Sequence, residues 1–495
     1  MNRGAAPPVQ RGLARLAIVI LLCYAGVALG IGYWQGLQAQ ALTNDPGDPL
    51  VAALRDEPRG RILDARGTVL ALDTTVDGVR VRRYPQPAAE PVVGYWSPTL
   101  GSSGLEQTYD ADLAGLSGTS PVDALLRKFG ASAATPLDVV TSLDMRLQAD
   151  AVKLLGKQKG AIVALDPTTG RVLALASTPS FDPNQLVAPG SGAAYLAGLS
   201  APGNAAPLLD RATQGHYTPG SVFKMVTAVA GLGSGAITAG TTYPDQPAED
   251  RTGFLVDGFR VVDGDHPWTD DTALDLVQAT EVSDNIYFAH VGLATGAAAL
   301  RDWARRLGFE AAIPFDLPTA PSQVTSGGGP LDGFVDDVEL ANAAYGQGTT
   351  AVTPLQMALV AATIGNGGTL MRPTLVDMVR AGSTIVQRTT PQIWQEVLPP
   401  AQDQILREAM TGAVESAWGK PIAGSAAIPG VPTAGKTGTA QLGGSGEPHA
   451  WFIGFAPAAA PRIAVAVIIE QGGHGGEVAA PLGGQLMGDW LRMSH

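Results

Sequence analysis

Lysine is scarce in this chain: seven occur against 25 arginines, and beyond Lys159 only Lys224, Lys420 and Lys436 remain. Arginine stays protonated in a protein, whereas a buried lysine gives up its proton readily. A lone lysine in an apolar stretch therefore suggests chemistry that needs an amine. Two of the three lie in short motifs. In residues 217–230, YTPGSVFKMVTAVA, Pro219 and Gly220 make a turn and Ser221 opens an apolar helix that ends near Gly231. Lys224, three residues on, falls on the same helical face. A serine at a helix start has unpaired amide hydrogens beside its hydroxyl, which is half of an oxyanion hole, and a neutral amine within reach can take its proton. Met in isolation, such a pair is usually a capping serine with a lysine that snorkels to water.

The second motif is Ser283, Asp284, Asn285. A serine and an asparagine two apart in a tight turn bring a hydroxyl and an amide into one cleft, the first to relay protons and the second to hold a substrate carbonyl. Alone, the tripeptide is an ordinary capping turn. The third is Lys436, Thr437, Gly438, Thr439, read as a strand. Thr437 and Thr439 share a face and could grip a carboxylate in the positive field of Lys436, while Gly438 would let a ligand backbone lie against the sheet. Asp263 and Asp265, near His266, read as a solvated loop. The six histidines, His216, His266 and His449 among them, form no metal-spaced cluster and read as structural or rim residues.

The elements that must position these motifs are partly legible. Residues 161–176 are two apolar strands around a turn at 166–170, and residues 451–456 and 463–470 are late strands before a final helix at about 482–493. Strands at both ends with a long helical and loop region between, from about 186 to 430, predict an α+β domain whose first and last segments share one antiparallel sheet. A helix is expected over about 144–157, with Asp144 as its N-cap. Before it, residues 59–71 alternate like a hairpin turning at 65–67. They open a small β-rich domain that continues through 92–95 and 104–115.

Net charge is −13, so the basic footprint of a nucleic-acid binder is missing. The 62 glycines and 37 prolines show no period, which implies turns and loops rather than a repeat. Residues 16–34 carry no charge and would extend about 28 Å as a helix, enough to cross a bilayer and longer than the usual core of a cleaved signal peptide, the alternative that Ala39, Gln40 and Ala41 offer as an A-x-A site. Arg3, Arg11 and Arg15 precede this run and Tyr33 and Trp34 close it. The positive-inside rule then puts residues 1–15 in the cytoplasm and the rest outside.

Three weak signals in this order mean more than each alone: S-x-x-K, S-x-N and K-T-G resemble the active-site signature of penicillin-binding proteins and serine β-lactamases. RGRILDARGTVLA at 59–71, GLEQTYDADLAG at 104–115, ALDPTTGRVLALASTPSFDPN at 164–184, YGQG at 345–348 with VTPLQMA at 352–358, and HAWFIGFAP at 449–457 extend the likeness over nearly the whole chain. They are similar to class B penicillin-binding proteins, most of all the short penicillin-binding protein A type. The chain departs from relatives in a short N-terminal domain and at Asp210, where Asn is frequent.

The resemblance implies a penicillin-binding/β-lactamase-like transpeptidase domain, an antiparallel sheet flanked by helices, over 141–495. A non-catalytic pedestal would span 36–140 and a transmembrane helix 16–34, at the bacterial cytoplasmic membrane. It implies that Ser221 attacks the penultimate D-Ala of a stem ending D-Ala-D-Ala, with Lys224 as base and the Ser221 and Thr439 amides as oxyanion hole. Ser283 and Lys436 would pass a proton to the leaving D-Ala, Asn285 would orient the stem, Thr437 and Thr439 would hold its terminal carboxylate, and Gly438 would let its backbone lie close. An amine of a neighbouring stem would resolve the acyl-enzyme, β-lactams would trap it, and no cofactor or metal is called for. A membrane glycan polymerase of the SEDS family is the implied partner. Hydrolysis by a D,D-carboxypeptidase or β-lactamase, and a non-catalytic β-lactam sensor or scaffold, are the competing readings.

Overall fold

The computed structural model describes residues 19–24, 26–27, 58–76, 78–117, 135–264, 272–443 and 446–494. The chain first lays down strands β1 (Ile62–Leu63), β2 (Val69–Val76), β3 (Val79–Arg83) and β4 (Asp138–Thr141). Asp64 closes the β1–β2 turn, its Oδ1 accepting from the Arg66 and Thr68 amides at 2.9 and 2.6 Å. Helix α1 (Met145–Leu155) follows, capped by Asp144, and leads into strands β5 (Gly160–Leu165) and β6 (Val172–Thr178). Then come α2 (Lys224–Ser234), α3 (Leu276–Val282), α4 (Asn285–Thr295) and α5 (Pro354–Gly365). Strands β7 (Val376–Ala381) and β8 (Thr384–Arg388) precede α6 (Pro400–Glu415). Strands β9 (Ala434–Ala440), β10 (His449–Ala456) and β11 (Ile463–Ile469) and helix α7 (Gly475–Met493) complete the chain.

The central sheet is antiparallel with strand order β9-β10-β11-β5-β6, so the early strand β5 and the late strand β11 do pair. Strands β5, β6, β10 and β11 are largely apolar runs because both faces are covered. Alternate residues Ala161, Val163 and Leu165 of β5 face a large core shared with α2 and α5. Ile162 and Ala164 face the opposite core, filled by Leu147 and Leu155 of α1 and Leu486 and Met487 of α7. A fully buried Val, Leu or Ile contributes about 1.5–3 kcal/mol each by this burial. Every residue of α5 is buried, which is why it shows no polar stripe. On α1, the fully buried Gln148 extends the sheet edge. Its Oε1 accepts from the Leu175 amide at 2.7 Å, and its Nε2 donates to the Leu175 and Ala88 carbonyls, both at 2.8 Å.

The second sheet, ordered β8-β7-β4-β1-β2-β3, takes strands from both sides of residue 140. β7 and β8 lie within the stretch expected to be helix and loop. Residues Glu90–Val93, expected to continue a β-rich domain, form a helical turn with Pro91 in its first turn, and Gly104–Thr108 and Asp110–Leu113 are also helical. The final helix starts at Gly475, ahead of the expected 482. Among the described residues no helix is long and apolar enough to cross a membrane. Of the expected span 16–34, residues 19–24 and 26–27 are helical, and the remainder, like residues 1–15, lies outside the described residues.

Candidate active site

Ser221 sits in a 3-10 turn, Gly220–Phe223, that runs directly into α2 at Lys224. The expected single helix opening at Ser221 is thus two segments, and it continues past Gly231 to Ser234. In a 3-10 turn residues three apart eclipse each other, which aligns positions 221 and 224 more closely than an α-helix would. Lys224 is fully buried; its Nζ donates to the Ser283 carbonyl at 2.5 Å and lies 3.2 Å from the Ser283 hydroxyl. The Phe288 ring lies 5.7 Å from the amine.

Ser283 is the C-cap of α3 and adopts a left-handed backbone, φ 64° and ψ 40°. For a residue with a side chain this costs about 1–2 kcal/mol. Asp284, fully buried, is the N-cap of α4: one carboxylate oxygen accepts from the Tyr287 amide at 2.6 Å and the other from Gln246 Nε2 at 3.0 Å. The capping turn that a lone SDN would suggest is present. It is also what aims the Ser283 hydroxyl at the lysines. The Asn285 amide nitrogen donates to Asp263 Oδ1 at 2.8 Å, and its side-chain nitrogen to the Val262 carbonyl at 3.2 Å.

Strand β9 brings the third motif, paired to β10 with Lys436 opposite Ile453. Lys436 Nζ, buried, donates to the Ser283 hydroxyl at 2.7 Å and to the Thr437 carbonyl at 3.0 Å. Thr437 and Thr439 line a cleft of about 500 Å³ together with Ser221, Ser283 and Asn285. Thr439 Oγ1 accepts from the Gly475 amide at 3.2 Å, which leaves its own hydrogen to donate. Gly438 has a packing role: a β-carbon there would stand 2.7 Å from the Pro219 carbonyl oxygen and 3.1 Å from Val222 Cγ1, so the glycine lets the strand close on the Ser221 turn.

The electrostatics follow from this burial. Lys224 is pushed down to about 8 by loss of water, against the opposing pull of Asp263 and Asp284. Lys436 falls well below the usual lysine range, first through burial and then through the like charge of Lys224. Asp284 is raised to about 8, by burial and then by Asp263 and Asp250. Asp263, expected in a solvated loop, therefore belongs to the site. A single acid in a polar loop carries no sequence signal that would have found it. Behind the Ser221 turn, Trp451 Nε1 donates to the Thr218 carbonyl at 3.0 Å, and Tyr217 donates to Glu470, which also pairs with Arg211. Among the described residues no three His, Cys, Asp or Glu side chains group as a metal site. Asp265 and His266 lie outside them.

Two serines and two buried lysines, drawn from a helix start, an inter-helix turn and a sheet-edge strand, come together on a fold of the transpeptidase class. Residues 160–488 match the penicillin-binding protein transpeptidase domain, and the chain belongs to that family. Residues 59–135 match the penicillin-binding protein A dimerisation domain. Among relatives, peptidoglycan D,D-transpeptidase PbpA of Mycobacterium tuberculosis is 36% identical over 500 residues, covering 96% of this chain and 98% of its own. Peptidoglycan D,D-transpeptidase MrdA of Acinetobacter baumannii is 31% identical over 79% of this chain and 60% of its own. The ceftriaxone acyl-enzyme complex of M. tuberculosis penicillin-binding protein A superposes with a TM-score of 0.77 at 34% identity, covering 88% of this chain and 98% of that one. Pseudomonas aeruginosa PBP2 in complex with WCK 5153 gives 0.73 at 30% identity, covering 88% and 95%.

Proposed function

We propose that this chain is a peptidoglycan D,D-transpeptidase that cross-links stem peptides through an acyl-enzyme on Ser221. The observation that carries this reading is the Ser283 hydroxyl, held between the amines of Lys224 and Lys436 at 3.2 and 2.7 Å in the cleft that also holds Ser221. A neutral Lys224 that spends both N–H groups on the Ser283 carbonyl and hydroxyl keeps its lone pair for the Ser221 proton. As the Ser221 oxygen bonds to the penultimate D-Ala carbonyl carbon, that proton moves to Lys224. The developing oxyanion is met by the amides of Ser221 and Thr439. The C–N bond then breaks, the leaving D-Ala nitrogen takes the Ser283 proton, and Ser283 is reprotonated from Lys224 while Lys436 holds its oxygen. Asn285 orients the stem, and Thr437 and Thr439 bind its terminal carboxylate. A stem-peptide amine resolves the ester, and a β-lactam occupies the same serine.

Residues 16–34 are read as a single membrane span with residues 1–15 in the cytoplasm. Residues 36–140 are read as a pedestal for the catalytic residues 141–495, and a SEDS-family glycan polymerase as the partner at the membrane. The full chain in detergent should take up fluorescent penicillin at Ser221, and Ser221→Ala labelling as strongly as wild type would overturn the assignment. Mass spectrometry of a synthetic pentapeptide with and without an added amine then separates transfer from hydrolysis.

A further inference from the structure

We propose that Asp263, outside all three motifs, is a positioning residue for acylation: it holds the Asn285 end of the Ser283 turn and supplies the fixed negative charge against which Lys224 takes up the Ser221 proton. The inference rests on Lys224 being the base, as argued above. Two carboxylates meet the N-terminus of α4. Asp284 takes the Tyr287 amide and Asp263, 22 residues upstream of Asn285, takes the Asn285 amide. The first helical amides need acceptors, and an uncharged Ser, Thr or Asn serves that purpose as well as an acid. What an acid adds is charge, beside two buried amines.

That charge acts on a protonated Lys224, whereas a neutral amine asks nothing of a carboxylate. Once the Ser221 proton arrives, a buried ammonium stands next to Lys436 with little water to stabilise it. Several described groups face Lys224. They are the Ser283 carbonyl and hydroxyl and buried Asp284 from the α3–α4 turn, the Phe288 ring from α4, Lys436 from β9 and Asp263 from the preceding loop. Asp284 is itself committed to Tyr287 and Gln246, and it is raised by burial and by Asp263. Asp263 is half-buried at the cleft wall, where its field raises the proton affinity of both amines. The Val262 carbonyl, one residue earlier, holds the Asn285 side chain at 3.2 Å, so one short strap fixes both the amide and the charge.

Asp263→Asn keeps an Oδ1 acceptor for the Asn285 amide and removes only the charge. The test is the pH profile of the second-order acylation rate constant of the full chain with penicillin, read by Ser221 adduct mass. With the charge gone Lys224 binds its proton less tightly, so the acid limb moves to lower pH, and the plateau falls at least about tenfold because a weaker base is left. Asp263→Ser, another uncharged acceptor, should behave alike. End-point labelling at long times reports the folded fraction of each variant. A limb that stays at the wild-type pH in both variants, with the rate merely scaled, overturns the role of Asp263. A wild-type profile with no acid limb would instead overturn Lys224 as the base.

Discussion

Gly438 and Pro219 meet backbone to backbone: a β-carbon on the glycine would lie 2.7 Å from the Pro219 carbonyl oxygen. Gly220, at φ 57°, shows the same closeness from the other side, where an added β-carbon would stand 2.9 Å from the Thr439 carbonyl carbon. The turn carrying Ser221 and the strand carrying Lys436 thus fit only without side chains between them. Gly438→Ala should push the two apart and slow penicillin acylation by about a hundredfold, since a displacement near 1 Å is enough for such a loss. Stopped-flow acylation measures it, and a wild-type rate would show that the contact yields without consequence.

Acylation by penicillin should rise with pH through the neighbourhood of 8. Only the neutral amine accepts the Ser221 proton, and burial has brought Lys224 down to about 8. Below that, each pH unit should cost about tenfold in rate. Because Asp284 titrates in the same range and faces the same amine, the limb belongs to the pair rather than to either residue alone. A flat profile from pH 6 to 9 would contradict this.

Removing the Ser283 hydroxyl in two ways separates chemistry from backbone. Ser283→Ala and Ser283→Gly both lose the relay, and both should reduce peptide turnover by a factor on the order of 10² to 10⁴. The left-handed backbone at φ 64° suits glycine and strains alanine. Thermal melting should therefore rank the glycine variant above the alanine variant by about 1 kcal/mol. Equal stabilities would mean that the turn relaxes when the hydroxyl is gone.

Gln148→Leu should destabilise the fold by about 3 kcal/mol or more. The change leaves the Leu175 amide and carbonyl and the Ala88 carbonyl without the partner that now satisfies them. Denaturation in urea would register the loss, and a midpoint unchanged from wild type would mean that water takes over the three groups.

The parts of the fold that could be read in advance are those where burial on both faces leaves an uninterrupted apolar run between turn residues, as in β5, β6, β10 and β11. Strand β8 was invisible because all five of its residues are exposed and their alternation follows no core. Residues Glu90–Val93 look like a strand through Val92 and Val93, but Pro91 in the first turn and the docking of both valines into the core settle them as helix. At the site, the side chains with unusual chemistry for their surroundings were visible: two of the three lysines beyond Lys159 in a chain that mostly uses arginine, and a serine at a turn. The packing reason for Gly438 was hidden, because it depends on Pro219, more than two hundred residues away. Asp263 was hidden for the same cause: its partner is the amide of Asn285, and no pattern in the loop announces it.

The sheet that joins β4 to β7 has a practical consequence for anyone dissecting the protein. A fragment starting at residue 141 would lose β1, β2, β3 and most of β4 and leave one long side of β7 bare. An unpaired strand edge of this kind tends to recruit another chain, so such a truncation should form higher-order species at concentrations where the intact polypeptide does not.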